Sequence, residues 1–339
     1  MLITRSRLPL ALALGLAGLA ALMLGSLAVG AFPLAPGDIA RVLWSALGGS
    51  GETNERARAV VLELRVPRIA AALAVGAALG VAGAALQGVF RNPLVSPDIL
   101  GVSSGCALGA VVGILLGLPL AAMQGLAFAG GLAAAGLVLA IGSKVRGADP
   151  VLTLVLAGVV VGSLFGAGVA FVKTVADPYN QLPAITFWLL GSFAGVLPRD
   201  LAFALPLMLL GTAPIVALRW RVDVLALSDD EARALGLDVA RLRLSLIVAA
   251  TLVTSAAVAI AGIVGWVGLV VPHAARLLVG PGFGRLLPIA AILGAAFMLV
   301  VDTLCRTLAQ TEIPPGVITA LIGTPAFIAL LALSARRSP

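Results

Sequence analysis

The chain has 339 residues, of which 61% are hydrophobic and 11% charged, with a mean hydropathy of +1.14. Soluble domains are typically about 25% charged, so an ordinary water-soluble fold is excluded. The formal net charge of +7 does not point to nucleic acid, because the basic residues line the edges of apolar runs rather than forming a cluster.

Apolar runs near the roughly 20 residues needed to cross a bilayer recur along the whole chain. They do not alternate polar with apolar as barrel strands do, so the expected fold is an all-α polytopic bundle of about ten transmembrane helices. Expected spans are 8–31, 61–89, 98–117, 119–142, 150–173, 199–219, 242–265, 268–279, 284–305 and 315–334. The first follows Arg5 and Arg7 and exceeds the about 7–15 apolar residues of a signal peptide, so it reads as a membrane helix. Asp38 is a candidate cap for a short outer helix reaching Leu47, which Gly48 to Glu52 would end. The eighth span is too short to cross in a straight line and is expected to be a half-span buried in protein. Residues 183–196 are also short and apolar, and read as a re-entrant helix on the outer side. No stretch has the composition of a soluble domain, so residues 1–339 are read as one membrane domain.

Small residues recur at every fourth position, at Gly105, Gly109, Gly113 and Gly117, and at Gly158, Gly162 and Gly166. That spacing lets helix backbones approach closely. The two cysteines, Cys106 and Cys305, are too few for a disulfide framework, and a single histidine offers no metal-ligand cluster.

With the N-terminus inside, the inner segments carry Arg5, Arg7, Arg91, Lys144, Arg146, Arg276, Arg285, Arg336, Arg337 and the arginines of residues 219–243. The outer segments carry Arg41, Arg56, Arg58, Arg65, Arg68, Lys173, Arg199 and Arg306. The inner excess places both termini and the 219–243 element in the cytoplasm.

Residues 219–243 are densely charged in a chain where charge is scarce. Ser228-Asp229-Asp230-Glu231 reads as a capping box, with negative charge in the first turn where the helix dipole favours it. Gly236 is suited to end that helix in a left-handed conformation, and Asp238 to cap the next one. The product is a short helix, a turn and a second helix running into the membrane, which reads as a surface for a soluble partner.

Other motifs sit at the span ends. Arg65-Val66-Pro67-Arg68 opens the second span, and Asp302 and Arg306 share one helix face near the same surface. Gln87, Arg91, Asn92, Pro93 and Pro97 form a proline-punctuated turn after the second span. Pro272 and His273 lie in the short eighth span, with His273 read as a structural residue, and Glu312-Ile313-Pro314-Pro315-Gly316 opens the last span. No G-x-x-x-x-G-K-[ST] phosphate loop is present, since neither Lys144 nor Lys173 has that context.

Taken together, R-V-P-R (65–68), the 83–105 stretch with R-N-P-L-V-S-P-D-I-L-G-V, L-A-L-S-D-D-E-A-R-A-L-G (225–236), G-W-V-G-L-V-V-P-H-A-A-R (265–276), D-T-L-C-R (302–306) and E-I-P-P-G-V-I-T-A-L-I-G-T-P-A-F (312–327) resemble one family. It is the permease subunits of type II ATP-binding-cassette importers, which take up iron–siderophores, haem and cobalamin. The resemblance implies a permease of about ten helices paired with a second copy or a related permease in the bacterial inner membrane. It implies a cytoplasmic ATPase dimer, which would hold ATP and Mg, and a periplasmic binding protein outside. Coupling helices at about 222–241 would carry the ATPase contacts on Ser228, Asp229, Asp230, Glu231, Arg233, Leu235 and Gly236. Arg65, Arg68 and Arg306 would meet acidic groups of the binding protein. Ser228 stands where the family usually has glycine, and Pro315 replaces an apolar residue. The 91–102 wording is closer to the ferric-siderophore and ferric-citrate branch than to cobalamin carriers. By this reading the chain is a transport subunit without an ATPase site of its own. An ion-gradient carrier, the rival class, would need paired ionisable residues near the bilayer midplane.

Overall fold

A computed structural model describes residues 5–30, 32–50, 54–145 and 150–335. Arg146, Arg336 and Arg337, and the end of the 48–52 turn, lie outside the described residues. Among the described residues, every regular element is helical. The helices are α1 (Leu8–Ala28), α2 (Pro36–Ala46), α3 (Glu55–Arg58), α4 (Val66–Val89), α5 (Val102–Leu115), α6 (Leu120–Lys144), α7 (Pro150–Val175) and α8 (Gln181–Leu190). They continue as α9 (Pro198–Ala217), α10 (Arg219–Val224), α11 (Asp229–Ala234), α12 (Val239–Ala261), α13 (Val267–Val279), α14 (Phe283–Thr307) and α15 (Pro315–Ala335).

Seven helical stretches among the described residues are long and apolar enough to cross a membrane. They match seven of the expected spans. A π-helical turn over Ala59–Arg65 joins α3 to α4, so the second span starts earlier than expected and runs unbroken over Glu55–Val89. The third is shorter than expected. Pro97–Leu100 folds as a 3-10 turn and Gly101 takes φ +70, so α5 begins only at Val102. The eighth, α13, is short as expected, and the apolar helix expected at 183–196 is α8, which starts earlier and stops at Gly191. In α2 the expected cap is displaced: Ala35 is the N-cap, because Pro36 fits the first helical position, where a missing N–H costs nothing. Asp38 falls inside the first turn and pairs with Arg41 at 2.5 Å.

Two helices form the spine. The most apolar windows of the Glu55–Val89 stretch and of α12 are each 78% buried, whereas that of α1 is 11% buried. Helix α4 packs against α14, α12, α13 and α9, while α5 and α6 pair beside α7, and α1 lies on the outside of α14. The closest approaches are glycine to backbone. A Cβ on Gly76 would stand 2.1 Å from the Gly294 carbonyl oxygen, and one on Gly83 would stand 1.9 Å from that of Gly268. Of the two glycine rows singled out, Gly105, Gly109 and Gly113 in α5 pack the same way against α6 and Gly158 in α7 packs against the Ile99 carbonyl, but Gly117 and Gly166 have nothing within 4 Å. Close packing therefore explains most of both rows, though not the last glycine of either.

Replacing Gly83 by valine drives a side chain into the α13 backbone and should cost at least about 1–3 kcal/mol, the usual penalty of overpacking. Thermal unfolding in detergent would register this as a clear drop in Tm, whereas Gly166→Ala should leave Tm unchanged.

Candidate functional site

Charge is gathered at the two ends of the bundle, and α4 connects them. At one end lie the three arginines singled out in the sequence. The Arg65 side chain does not reach outward: its guanidinium donates to the carbonyls of Leu27 and Phe32, and the residue is 5% exposed. Arg68 is 9% exposed, donating through Nε to Asp302 at 2.7 Å and through its terminal nitrogens to Glu312. Arg306 lies 3.2 Å from Asp302 one helical turn away, as the shared face predicted, and also donates to the Ser26 hydroxyl at 2.6 Å and the Val29 carbonyl at 3.0 Å. The cluster thus ties α1, α4, α14 and the segment before α15 together. It frames a cavity of about 340 Å³ floored by Arg65, Arg68, Arg306 and Glu312. Sequence reasoning saw the Asp302–Arg306 pair but missed Glu312 as the second partner of Arg68 and Ser26 as a partner of Arg306. Those contacts span more than 200 residues of chain, and no local spacing signals them.

At the other end the expected punctuation is present. The Ser228 hydroxyl accepts the Glu231 N–H at 3.3 Å, and the Glu231 carboxylate accepts the Ser228 N–H at 2.9 Å. Gly236 takes φ +82, and Asp238 accepts the Arg241 N–H at 3.0 Å. Asp230 and Arg233 pair on the exposed side at 2.9 Å. Leu235 stays 65% exposed although it is large and apolar.

Two arginines fasten this element to the bundle. Arg243 grips Asp229 through both terminal nitrogens at 2.7 and 2.8 Å. Arg91 reaches the same carboxylate at 2.5 Å and the Leu225 carbonyl at 2.5 Å. Arg91 itself sits at φ 49, a left-handed conformation uncommon for a residue with a side chain. The two contacts hold it there. Asn92 accepts the Leu94 N–H at 2.9 Å, which closes the turn ahead of Pro93 and Pro97. Gln87 donates to the Leu269 carbonyl at 3.2 Å, and with Arg91, Asp223 and His273 it lines a cavity of about 480 Å³. His273 is buried in α13, one residue after Pro272. Asp223 accepts the Phe283 N–H at 2.6 Å, tying α10 to the start of α14, a contact that sequence reasoning missed.

Hydrogen bonds from Arg243, reinforced by Arg91, hold the Asp229 carboxyl below the ordinary carboxylate range. A depressed folded-state pKa contributes stability above the unfolded value, about 3.9, and that stability is lost as pH falls through the lower folded value. Amide protection over 225–235, taken relative to the intrinsic exchange rate at each pH, should therefore stay high at neutral pH and fall only below about pH 4. In Asp229→Asn the protection of this segment should be low at every pH and lose this acid dependence.

At the opposite end, Asp302→Leu leaves buried guanidinium charge uncompensated and should cost roughly 3 kcal/mol. Adding Arg68→Met should recover much of it in denaturant titrations, because Glu312 is partly solvated and tolerates losing its partner.

Residues 18–333 match the model of the FecCD transport family. The chain is 45% identical over 278 residues to the cobalamin import system permease protein BtuC of Halobacterium salinarum, covering 82% of this chain and 74% of the relative. It is 39% identical over 302 residues to the molybdate import system permease protein MolB of Haemophilus influenzae, covering 89% of each. Identity to the Fe(3+) dicitrate transport system permease protein FecD of Escherichia coli is 38% over 296 residues, covering 86% and 90%. The fold is similar to that of a metal-chelate type ABC transporter solved in an inward-facing conformation, with a TM-score of 0.85 and 37% identity over 96% of this chain and 99% of that one. An architecture built on the α4 spine, six ordered motifs and a family match over nearly the full length agree: this chain belongs to the FecCD transport family of ABC importer permeases.

Proposed function

We propose that this chain is the transmembrane permease of an importer that moves an iron chelate across the bacterial inner membrane by alternating access. The observation that carries the reading is the 219–243 element. It is a short helix capped at both ends, clamped to the end of α4 through Asp229, and it presents Leu235 and the Asp230–Arg233 pair outward. A family permease works with an ATPase and a substrate-binding partner. In this reading the ATPase dimer holds ATP and Mg and presses on Ser228, Asp229, Asp230, Glu231, Arg233, Leu235 and Gly236. That places the 219–243 end and both termini in the cytoplasm, as the arginine excess also favours. A packed bundle answers such a push by switching between discrete arrangements.

The opposite end then faces the periplasm, and its cavity receives an acidic group of the binding protein. Arg65, Arg68 and Arg306 are held inside the fold, so they act there as a pooled field of three guanidiniums against Asp302 and Glu312, not as free surface anchors. The iron-chelate assignment rests on the 91–102 wording, the dicitrate relative and the metal-chelate type structure. The cobalamin relative supports a corrinoid as the alternative cargo, with haem in the same class. A second permease copy, or a related permease, completes the pathway.

Proteoliposomes containing this chain should accumulate ferric chelate only when the ATPase, ATP and the binding protein are all supplied. Leu235→Glu should cut that uptake roughly tenfold, the loss of about 1.4 kcal/mol of contact energy, while leaving the thermal unfolding of the permease unchanged. Accumulation without the ATPase would remove the proposal. So would cobalamin uptake with no response to ferric chelates, as far as the cargo is concerned.

A further inference from the structure

A cavity of about 490 Å³ opens where the start of α1 meets α10 and the start of α14. Its charged walls are Arg219 and Arg285, with Asp223 as the single carboxylate between them. Neither arginine is ion-paired among the described residues, and Asp223 is occupied in accepting the Phe283 N–H. The lining therefore carries an excess of one positive charge. Gly282 and Gly284 keep the floor as bare backbone: a Cβ on Gly282 would stand 3.2 Å from a guanidinium nitrogen of Arg285, and one on Gly284 would stand 3.8 Å from the Arg219 side chain. The same floor is the start of a 25-residue helix, whose dipole adds positive potential.

The position of the cavity decides what it would take. Leu8, the first residue of α1, forms one wall, and α1 is the least buried of the spanning helices, so the opening faces the lipid side of the bundle. Trp220 stands at the rim, 65% exposed, with the Arg219 guanidinium 5.4 Å from its ring centroid. An exposed indole beside arginines at the end of a span is characteristic of the headgroup level of a membrane. Basic pockets between helices at that level bind anionic headgroups.

We propose that this cavity binds the phosphodiester headgroup of an anionic phospholipid such as phosphatidylglycerol. Arg219 and Arg285 meet the phosphate, the indole of Trp220 lies at the glycerol level, and the acyl chains run along α1. The bound lipid touches α10 and the start of α14 together, which ties the 219–243 element to the bilayer. Free phosphate offers the same oxygen atoms, but lacks the chains that Leu8 and the exposed face of α1 would cover.

Native mass spectrometry of the full-length chain, with equal amounts of phosphatidylglycerol and phosphatidylcholine added, tests this directly. Phosphatidylglycerol adducts should predominate, and Arg219→Gln or Arg285→Gln should each reduce that preference roughly fivefold. The pair Arg41→Gln and Arg56→Gln, exposed arginines away from the cavity, should leave it intact. Equal loss in that control pair would reduce the effect to general charge and overturn the site. Abolition of the preference by millimolar inorganic phosphate would assign the cavity to free phosphate and overturn the lipid. A loss of folding in the arginine variants would show as a lower Tm. In that case brominated phosphatidylglycerol must quench tryptophan fluorescence in the unaltered protein more than brominated phosphatidylcholine does, and this difference must vanish in Trp220→Phe; equal quenching, or a difference that survives in Trp220→Phe, would end the proposal.

Discussion

Backbone-to-backbone contact along α4 is the constraint on which the rest of the molecule depends. Inside a bilayer apolar side chains gain nothing by leaving lipid for protein, so helices hold together by how closely they can approach. Gly76, Gly80 and Gly83 bring α4 against Gly294, Ala290 and Gly268 with no side chain between. That places α13 and α14 rigidly on α4. Because these helices cannot slide past one another without losing contact, charges mounted at their ends are held in register. The arginine cluster at one end and the Arg91 clamp at the other are both consequences of that rigidity.

The two ends solve different problems. The Arg65–Arg68–Asp302–Arg306–Glu312 cluster is mostly buried, and burying charge costs several kcal/mol for each ion unless the geometry is good. It is best understood as positioning. Arg65 and Arg306 hold the end of α1 by its carbonyls, and Arg68 holds the approach to α15 by Glu312. The Asp229 clamp is partly in solvent, and its strength comes from the two-pronged grip of Arg243. One end of the bundle is thus a firm frame, and the other carries a fastened but exposed helix.

On the proposed function, Asp229 is where force would pass from the exposed helix into the bundle. Its carboxylate is shared between Arg243 on α12 and Arg91 at the end of α4, so a displacement of α11 is felt by both spine helices at once. Asp223 extends the same connection to α14 through the Phe283 N–H. The lipid-facing cavity beside Asp223 adds the bilayer surface to these connections. The element that a soluble partner would grip is thereby anchored to three helices of the core.

Local chemistry was enough for the sequence by itself to determine several features. The apolar runs specify a helical membrane bundle, since no other arrangement of such segments satisfies its backbone in lipid. The Ser228–Glu231 box, the left-handed Gly236 and the Asp238 cap were legible because capping acts over three or four residues. Asp302 and Arg306 were legible as a pair because they lie one turn apart. Only the tertiary structure decided that Arg65 and Arg68 turn inward, that Glu312 completes the cluster, and that Arg91 and Arg243 converge on Asp229. The α4 glycines belong with these: their spacing is visible in the chain, but which backbone each meets is not. Partners separated by many residues are brought together by the packing of whole helices, and no local pattern encodes which ends will meet.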